Sequence, residues 1–253
     1  MNADELPALD LNYVDTNRCL VACSHTGEYV ERSEVAIVSC GLPERTLNWG
    51  FLKPPYTDLA AAAGRVRAYF EERKLPFQLT FRDVSLAPAR ALEAAGFERR
   101  PDPTPGMALA LPVAVPPAPL AIEEVRTPEQ LVAFRETAFR SFGFPVAAAH
   151  IFLNERLLAL PHVRLFAGKV DGAVVATSLL AVTGAVAGIY WVGTLEGVRR
   201  RGYGEALTWA AVAGGREAGC RVASLQASQL GRPVYARMGF AHVLDYEHWL
   251  PRP

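Results

Sequence analysis

From residue 120 onward, apolar and polar positions repeat in blocks whose period keeps changing. The stretch "LAIEEV" (120–125) reads as a short strand. "TPEQLVAFRETAFRSFG" switches to helical spacing, with Thr127 as cap, Pro128 in the first turn and Gln130 three residues after the cap. Two β-rich runs then flank Val170-Asp171-Gly172, a hairpin signal. "AGIYWVGTL" predicts a strand, "GYGEALTWAAVAGGREAG" a helix and "CRVASLQAS" a strand. "RPVYARMG" predicts a short helix with Pro233 near its start, and "FAHVLDYEHWL" a closing strand. The order β-α-β-β-β-α-β-α-β describes an α/β fold, a mixed sheet with helices packed on it.

Upstream, residues 101–119 are dense in proline around one apolar run, and a strand fits at Met107–Leu111. Pro112 and the "PPAP" of 116–119 favour an extended, stiff connector. The expected division is therefore 1–111, a linker at 112–119, and 120–253. The first part echoes the end of the second. "YTDLAAAAGRVRAYFEERKL" reads as a helix capped by Thr57 or Asp58, "PFQLTF" as a strand, "LAPARALEAAG" as a helix and "FERR" as the start of a strand. "PARALEAAGFERR" (88–100) and "RPVYARMGFAHV" (232–243) are both proline-opened helices ending in Gly-Phe, with the glycine as C-cap before a strand. An internal duplication follows, giving two mostly antiparallel sheets with helices on both faces.

Composition narrows the chemistry. The chain has 253 residues, 51% hydrophobic, with 26 basic and 26 acidic side chains, so its formal charge is zero. A neutral chain argues against a general nucleic-acid binder. Of the basic residues 23 are arginine, which makes any single arginine run weaker evidence for an anion site. The N-terminus lacks a basic start followed by an apolar stretch, and no window reaches the ~18 apolar residues of a membrane span. A cytoplasmic protein with no membrane partner, monomeric or homodimeric, is expected. Cys19, Cys23 and His25 would share one face of a strand and raise a metal site. No CxxC pairing accompanies them, and reduced, buried thiols are the expectation. Tyr190 and Trp191 should alternate across their strand, one on each side.

The chemistry concentrates in "VRRRGYGEAL" (198–207). A P-loop would need GxxxxGK[ST] and a Rossmann turn GxGxxG; neither is present. What remains is a strand, a short loop and a helix N-terminus preceded by Arg-x-x-Gly-x-Gly. Gly202 and Gly204 allow successive N–H groups to point inward as an anion nest. The helix start near Tyr203 adds unpaired N–H groups and a positive dipole end, and Arg199, Arg200 and Arg201 add charge. Such a loop suits a pyrophosphate whose tail runs back along the preceding strand.

"GTLEGVRRRGYGEAL" resembles the acyl-CoA loop of the GCN5-related N-acetyltransferase (GNAT) family, [Q/R]-x-x-G-x-[G/A], here Arg199, Gly202 and Gly204. "SLQASQLGRPVYARMGF" supplies a second ordered match, with Tyr235 four residues before Gly239-Phe240. The resemblance covers about residues 120–250 and implies an acyl-CoA-dependent N-acyltransferase. It would move acetyl from acetyl-CoA to a primary amine of a small molecule by direct attack, without a metal. It implies that pantetheine pairs with Val192 and Thr194, and that pyrophosphate takes N–H groups from Arg199, Arg200, Arg201, Gly202, Tyr203, Gly204 and Glu205. Val192 or Gly193 N–H would hold the oxyanion, and Tyr235 would protonate the departing thiolate. Ser228 stands where the family often has Asn.

The fourth strand carries no glutamate. Glu196 lies just past it, Asp245 and Glu247 lie on the last strand, and no general base is assigned. In the N-terminal half Pro54 and Pro55 occupy the loop position, without N–H groups to offer, and Leu92 stands at the Tyr235 equivalent. That half resembles the degenerate domain of tandem GNAT proteins. The competing readings are an acyl-CoA-binding sensor without catalysis, and nucleic-acid binding through Arg199–Arg201. The apolar "RSFGFPVAAAHIFLNERLLALPHV" leans toward a small or partly hydrophobic acceptor.

Overall fold

The computed structural model describes residues 6–82 and 86–252; residues 1–5, on which the no-leader expectation partly rests, lie outside it. The N-terminal half runs α1 (Leu6–Cys23), β1 (Glu28–Glu31), β2 (Val35–Ser39), β3 (Asn48–Leu52), α2 (Leu59–Arg73), β4 (Gln78–Arg82), α3 (Leu86–Ala94), β5 (Phe97–Arg99) and β6 (Thr104–Ala110). After the proline stretch come β7 (Ala121–Glu124), α4 (Pro128–Phe142), the single turn α5 (Ala149–Phe152), β8 (Val163–Val170), β9 (Ala173–Thr183) and β10 (Val186–Thr194). The chain closes with α6 (Tyr203–Glu217), β11 (Val222–Gln226), α7 (Arg232–Arg237) and β12 (Ala241–Pro251). Local chemistry explains the clear boundaries. Thr127 and Gln130 form a complete capping box at α4. Asp58, rather than Thr57, caps α2 by accepting the Ala61 N–H.

Instead of two separate sheets, the described strands form one twelve-stranded sheet, ordered β1-β2-β3-β4-β12-β6-β11-β10-β9-β8-β7, with β5 beside β12. The halves have exchanged strands at its centre. β6, from the N-terminal half, lies antiparallel to β11 over Gly106–Ala110 and is flanked by β12 on its other edge. β12, from the C-terminal half, crosses β6 and continues onto β4 and β5. Every strand partner of β12 therefore comes from the other half of the chain.

Three apolar clusters pack on this sheet. One face carries α1, α4 and α5 over a cluster that includes Leu9, Phe51, Phe134, Leu179 and Tyr246. The opposite face carries α6 and α7 over Leu207, Val212, Leu225 and Phe240, and α2 over Val66, Phe70, Phe81 and Trp249. Alternation along the strands produces both layers: on β3, Phe51 joins the first cluster and Leu52 the third. Among the described residues no helix is long and apolar enough to cross a membrane.

His248 pins the crossing of β12. Its Nε2 lies 2.8 Å from Thr104 Oγ1 on β6, and its Nδ1 lies 3.0 Å from Thr80 Oγ1 on β4. Burial, aided by the Arg100 charge, pushes its pKa down from 6.5 to about 4. Between those values the unfolded chain binds a proton that the folded chain refuses. The His248 contribution is therefore complete above pH 6.5 and is lost as pH falls toward 4, by about 3 kcal/mol at most. Urea midpoints taken every half unit from pH 7.5 to 4 should fall more steeply for the wild type than for His248→Asn. Parallel curves would remove His248 as the source.

Candidate active site

Beyond Gly188, β10 and β11 part company. They pair in parallel only over Val186–Gly188 with Val222–Ser224. β10 nevertheless continues to Thr194 along β9, and β11 continues to Gln226 along β6. A wedge opens between them, and the β10 edge from Ile189 to Thr194 has no strand partner on that side among the described residues. Such an edge can hydrogen-bond an extended ligand as it would an added strand. The matching strands of the N-terminal half, β3 and β4, pair over Trp49–Phe51, most of the length of β3. No comparable wedge opens there.

The loop after β10 forms the second feature. A short 3-10 turn, Glu196–Val198, leads into Arg200 and Gly202, both with left-handed backbone at φ 64° and 78°. Gly202 suits that conformation and caps α6 without offering a side chain. From Arg200 through Glu205 no backbone N–H donates to a backbone carbonyl among the described residues. The first helical bond is Ala206 N–H to Gly202 O at 2.9 Å. These donors and the positive end of the helix can hold an anion. At the N-terminal counterpart, the Asp58 carboxylate accepts the Ala61 N–H at 3.1 Å, so α2 already supplies its own anion.

Tyr235 is the third feature. It lies on α7, buried, edge-on to Phe240 at 6.0 Å, in the cluster that Val192 and Tyr203 also join. Burial raises its phenol from 10 to about 12, partly offset by the Thr208 hydroxyl. It is protonated at neutral pH. Thr208 in turn donates to Gly204 O at 2.9 Å, linking the phenol's surroundings to the loop.

Residues 130–240 match the model of the acetyltransferase (GNAT) family. Over those residues the chain is similar to GNAT acetyltransferases. A GCN5-related N-acetyltransferase from Kribbella flavida superposes with a TM-score of 0.70 at 19% identity, covering 97% of this chain and 96% of that one. A GCN5-related N-acetyltransferase from Sphaerobacter thermophilus gives 0.64 at 20% identity, covering 87% and 81%. A tandem GNAT protein from the clavulanic acid biosynthesis pathway gives 0.59 at 15% identity, covering 98% and 95%. At these identities the likeness establishes the fold, two GNAT-like units in tandem. No curated protein matches the chain.

Within this part of the chain, Val192 and Thr194 face the wedge, whereas Gly193 pairs with Thr177 of β9; Arg200, Arg201, Gly202, Tyr203, Gly204 and Glu205 make up the loop and first turn of α6. Arg199 departs from expectation. Its N–H already donates to Glu196 O at 3.3 Å. Its guanidinium donates to Thr194 O at 3.1 Å and Ser141 O at 3.2 Å, tying the end of β10 to the end of α4. Ser228 Oγ accepts the Gly231 N–H at 3.1 Å and so caps the turn before α7. Tyr190 and Trp191 do not alternate; both pack in the α1/α4 cluster, because Trp191 sits at φ 52° in a bulge of β10.

The three carboxylates also separate. Glu247 is buried against Arg99 at 2.5 Å and accepts the Trp249 indole N–H at 3.1 Å, a structural position. Asp245 meets His242 at 2.9 Å. Glu196 is exposed and lines an open cleft of about 540 Å³ with Arg140, Phe142, Leu195 and Arg199. Cys19 and Cys23 lie on helix α1, not a strand, because 6–23 is helical. All four cysteines are buried and free, and no group of three ligand side chains that could hold a metal occurs among the described residues.

Proposed function

We propose that the protein transfers an acyl group, most simply acetyl, from acetyl-CoA to a primary amine of a small molecule. Residues 120–253 would carry the reaction, 112–119 the linker, and 1–111 a GNAT-like unit without an acyl-CoA loop. Acyl-CoA-dependent acetyl transfer is the general chemistry of the family. The observation that carries the reading is the contrast between two helix starts. α6 is left uncapped with free N–H groups from Arg200 to Glu205, whereas α2 is closed by its own Asp58.

In this reading the loop N–H groups and the Arg200 and Arg201 charges hold the pyrophosphate, and the β10 edge at Val192–Thr194 pairs with the pantetheine amides. The thioester then lies where the Val192 N–H can support developing negative charge, since Gly193 pairs with Thr177 of β9, with Tyr235 presenting its proton to the departing sulfur. The acceptor body would lie toward the cleft, where Phe142 is exposed and contacts Trp191 at 5.4 Å. That favours an amine with a partly apolar frame.

Calorimetric titration of acetyl-CoA into the wild type and into Gly204→Pro tests the loop. The substitution removes one N–H in the first turn of α6, where a proline ring is tolerated. Its Cβ would lie 3.3 Å from Thr194 Oγ1. Affinity should weaken by about 10- to 100-fold, the worth of one hydrogen bond to a charged group. Equal affinity in the two folded proteins would move the pyrophosphate elsewhere. Because β10 carries no carboxylate, a second reading stands beside the first, an acyl-CoA sensor. It predicts tight binding and no turnover across an amine panel.

A further inference from the structure

β10 is irregular where the acyl group would lie. Trp191 takes a left-handed φ of 52°, and the pairing with β9 jumps from Tyr190–Leu179 to Gly193–Thr177. A bulky residue holds that conformation only when its surroundings enforce it. Two groups outside β10 do so. The Thr177 hydroxyl, fully buried on β9, donates to the Trp191 carbonyl at 2.9 Å. The Tyr190 hydroxyl donates to Asn12 Oδ1 on α1 at 2.6 Å, and Asn12 Nδ2 donates to Ala181 O on β9 at 3.0 Å. Asn12 is fully buried, and it fits only because residue 188 is glycine; a Cβ there would overlap its side-chain oxygen.

Helix α1 is held in place for this task from both halves of the chain. Asp15 accepts from Thr183 Oγ1 at 3.0 Å on β9. Asp10 accepts from the Tyr246 hydroxyl at 3.0 Å on β12 and faces Arg82 at 3.4 Å on β4. A shift of the N-terminal half would therefore reach β10 through Asn12.

We infer that Asn12 and Thr177 are positioning residues that set the β10 bulge, so that the N-terminal half, through Asn12, aims the Val192 N–H group at the acyl carbonyl. This rests on reading the wedge as the acyl-CoA site. The N-terminal unit thus acts on the reaction without binding acyl-CoA itself. Thr177 fixes the carbonyl after the bulge and Asn12 the side chain before it.

The test uses the full chain and four variants: Asn12→Leu, Tyr190→Phe, Thr177→Val and Thr177→Ser. The first readout needs no ligand: backbone amide NMR shifts and hydrogen exchange of residues 190–194. They should move and exchange faster in the first three variants and stay near wild type in Thr177→Ser, which keeps the hydroxyl. Adding Asn12→Leu to Tyr190→Phe should change little more, since the two break one interaction. Tyr190→Phe keeps the test decisive if Asn12→Leu fails to fold.

The second readout compares acetyl-CoA with CoA by calorimetry. The first three variants should lose about tenfold for acetyl-CoA, the worth of one misplaced hydrogen bond, while CoA affinity shifts far less. Unmoved 190–194 amides in folded Tyr190→Phe and Thr177→Val would overturn the latch. Equal losses for both ligands would overturn its role at the acyl carbonyl. A wild type that binds neither ligand would sink the acyl-CoA reading instead, and the amide shifts would still decide the latch.

Discussion

A chain beginning at residue 120 should fail to fold, although it contains the whole family match of 130–240. In such a fragment β12 has no strand partner, because β4, β5 and β6 all lie upstream. β11 loses the strand on its far side, leaving a long unpaired edge of the kind that drives aggregation. Leu244, Tyr246 and Trp249, all buried in the full chain, lose the N-terminal residues they pack on. Loss of so much packing far exceeds the ~5–15 kcal/mol margin of an ordinary domain. The fragment should be insoluble or lack a cooperative thermal transition. Co-expressed residues 1–119 should restore a soluble, folded complex. A fragment that melts cooperatively alone and binds acetyl-CoA would show the exchanged strands to be dispensable.

Tyr235→Phe should lower kcat by about 100-fold or more, in the range of a lost general acid, with acetyl-CoA affinity nearly unchanged. The phenol, pushed up to about 12 by burial, keeps its proton throughout the working range. Full transfer from such a phenol to a thiolate near 8.5 is uphill by about three units. Its contribution is then a hydrogen bond that strengthens as charge builds on sulfur, with the thiolate's proton made good by the one the attacking nitrogen releases as it becomes an amide. Two consequences follow for the pH profile. The wild type should show no descending limb from Tyr235 below pH 10, and the variant should lose rate by the same factor at every pH. A change confined to KM, or a variant of full activity, would leave Tyr235 as packing against Phe240.

Much of the fold was written in local patterns that need no partner. The Thr127 capping box, the Asp171-Gly172 turn and the uncapped Gly202 start are each decided by a few adjacent residues, and each appears where the pattern puts it. α1 was illegible for a physical reason. Its buried side includes Asp10, Asn12 and Thr16, so the apolar stripe that announces a helix is broken by polar residues, two of which, Asp10 and Asn12, bond to strands of the sheet. The strand exchange was equally hidden, since β6 and β12 read as strands whichever neighbours they choose. At the site, the loop and Tyr235 were visible as motifs. The roles of Thr177 and Asn12 depend on the left-handed turn at Trp191, which no alternation pattern encodes, and the diversion of Arg199 depends on where α4 ends.

The exchanged strands also order events during synthesis. β4 emerges from the ribosome well before β12, the strand it needs on its inner edge; Thr80 and His248, which meet there, are 168 residues apart. β6 likewise waits for β11. The first half cannot finish its sheet while the second is still being translated, and the usual domain-by-domain route is closed. The nascent chain must hold an open edge at β4 until β12 has been made. Closure of the sheet waits for β12 to bridge β4 and β6, so chains made only as far as β11 would carry the wedge without a finished fold.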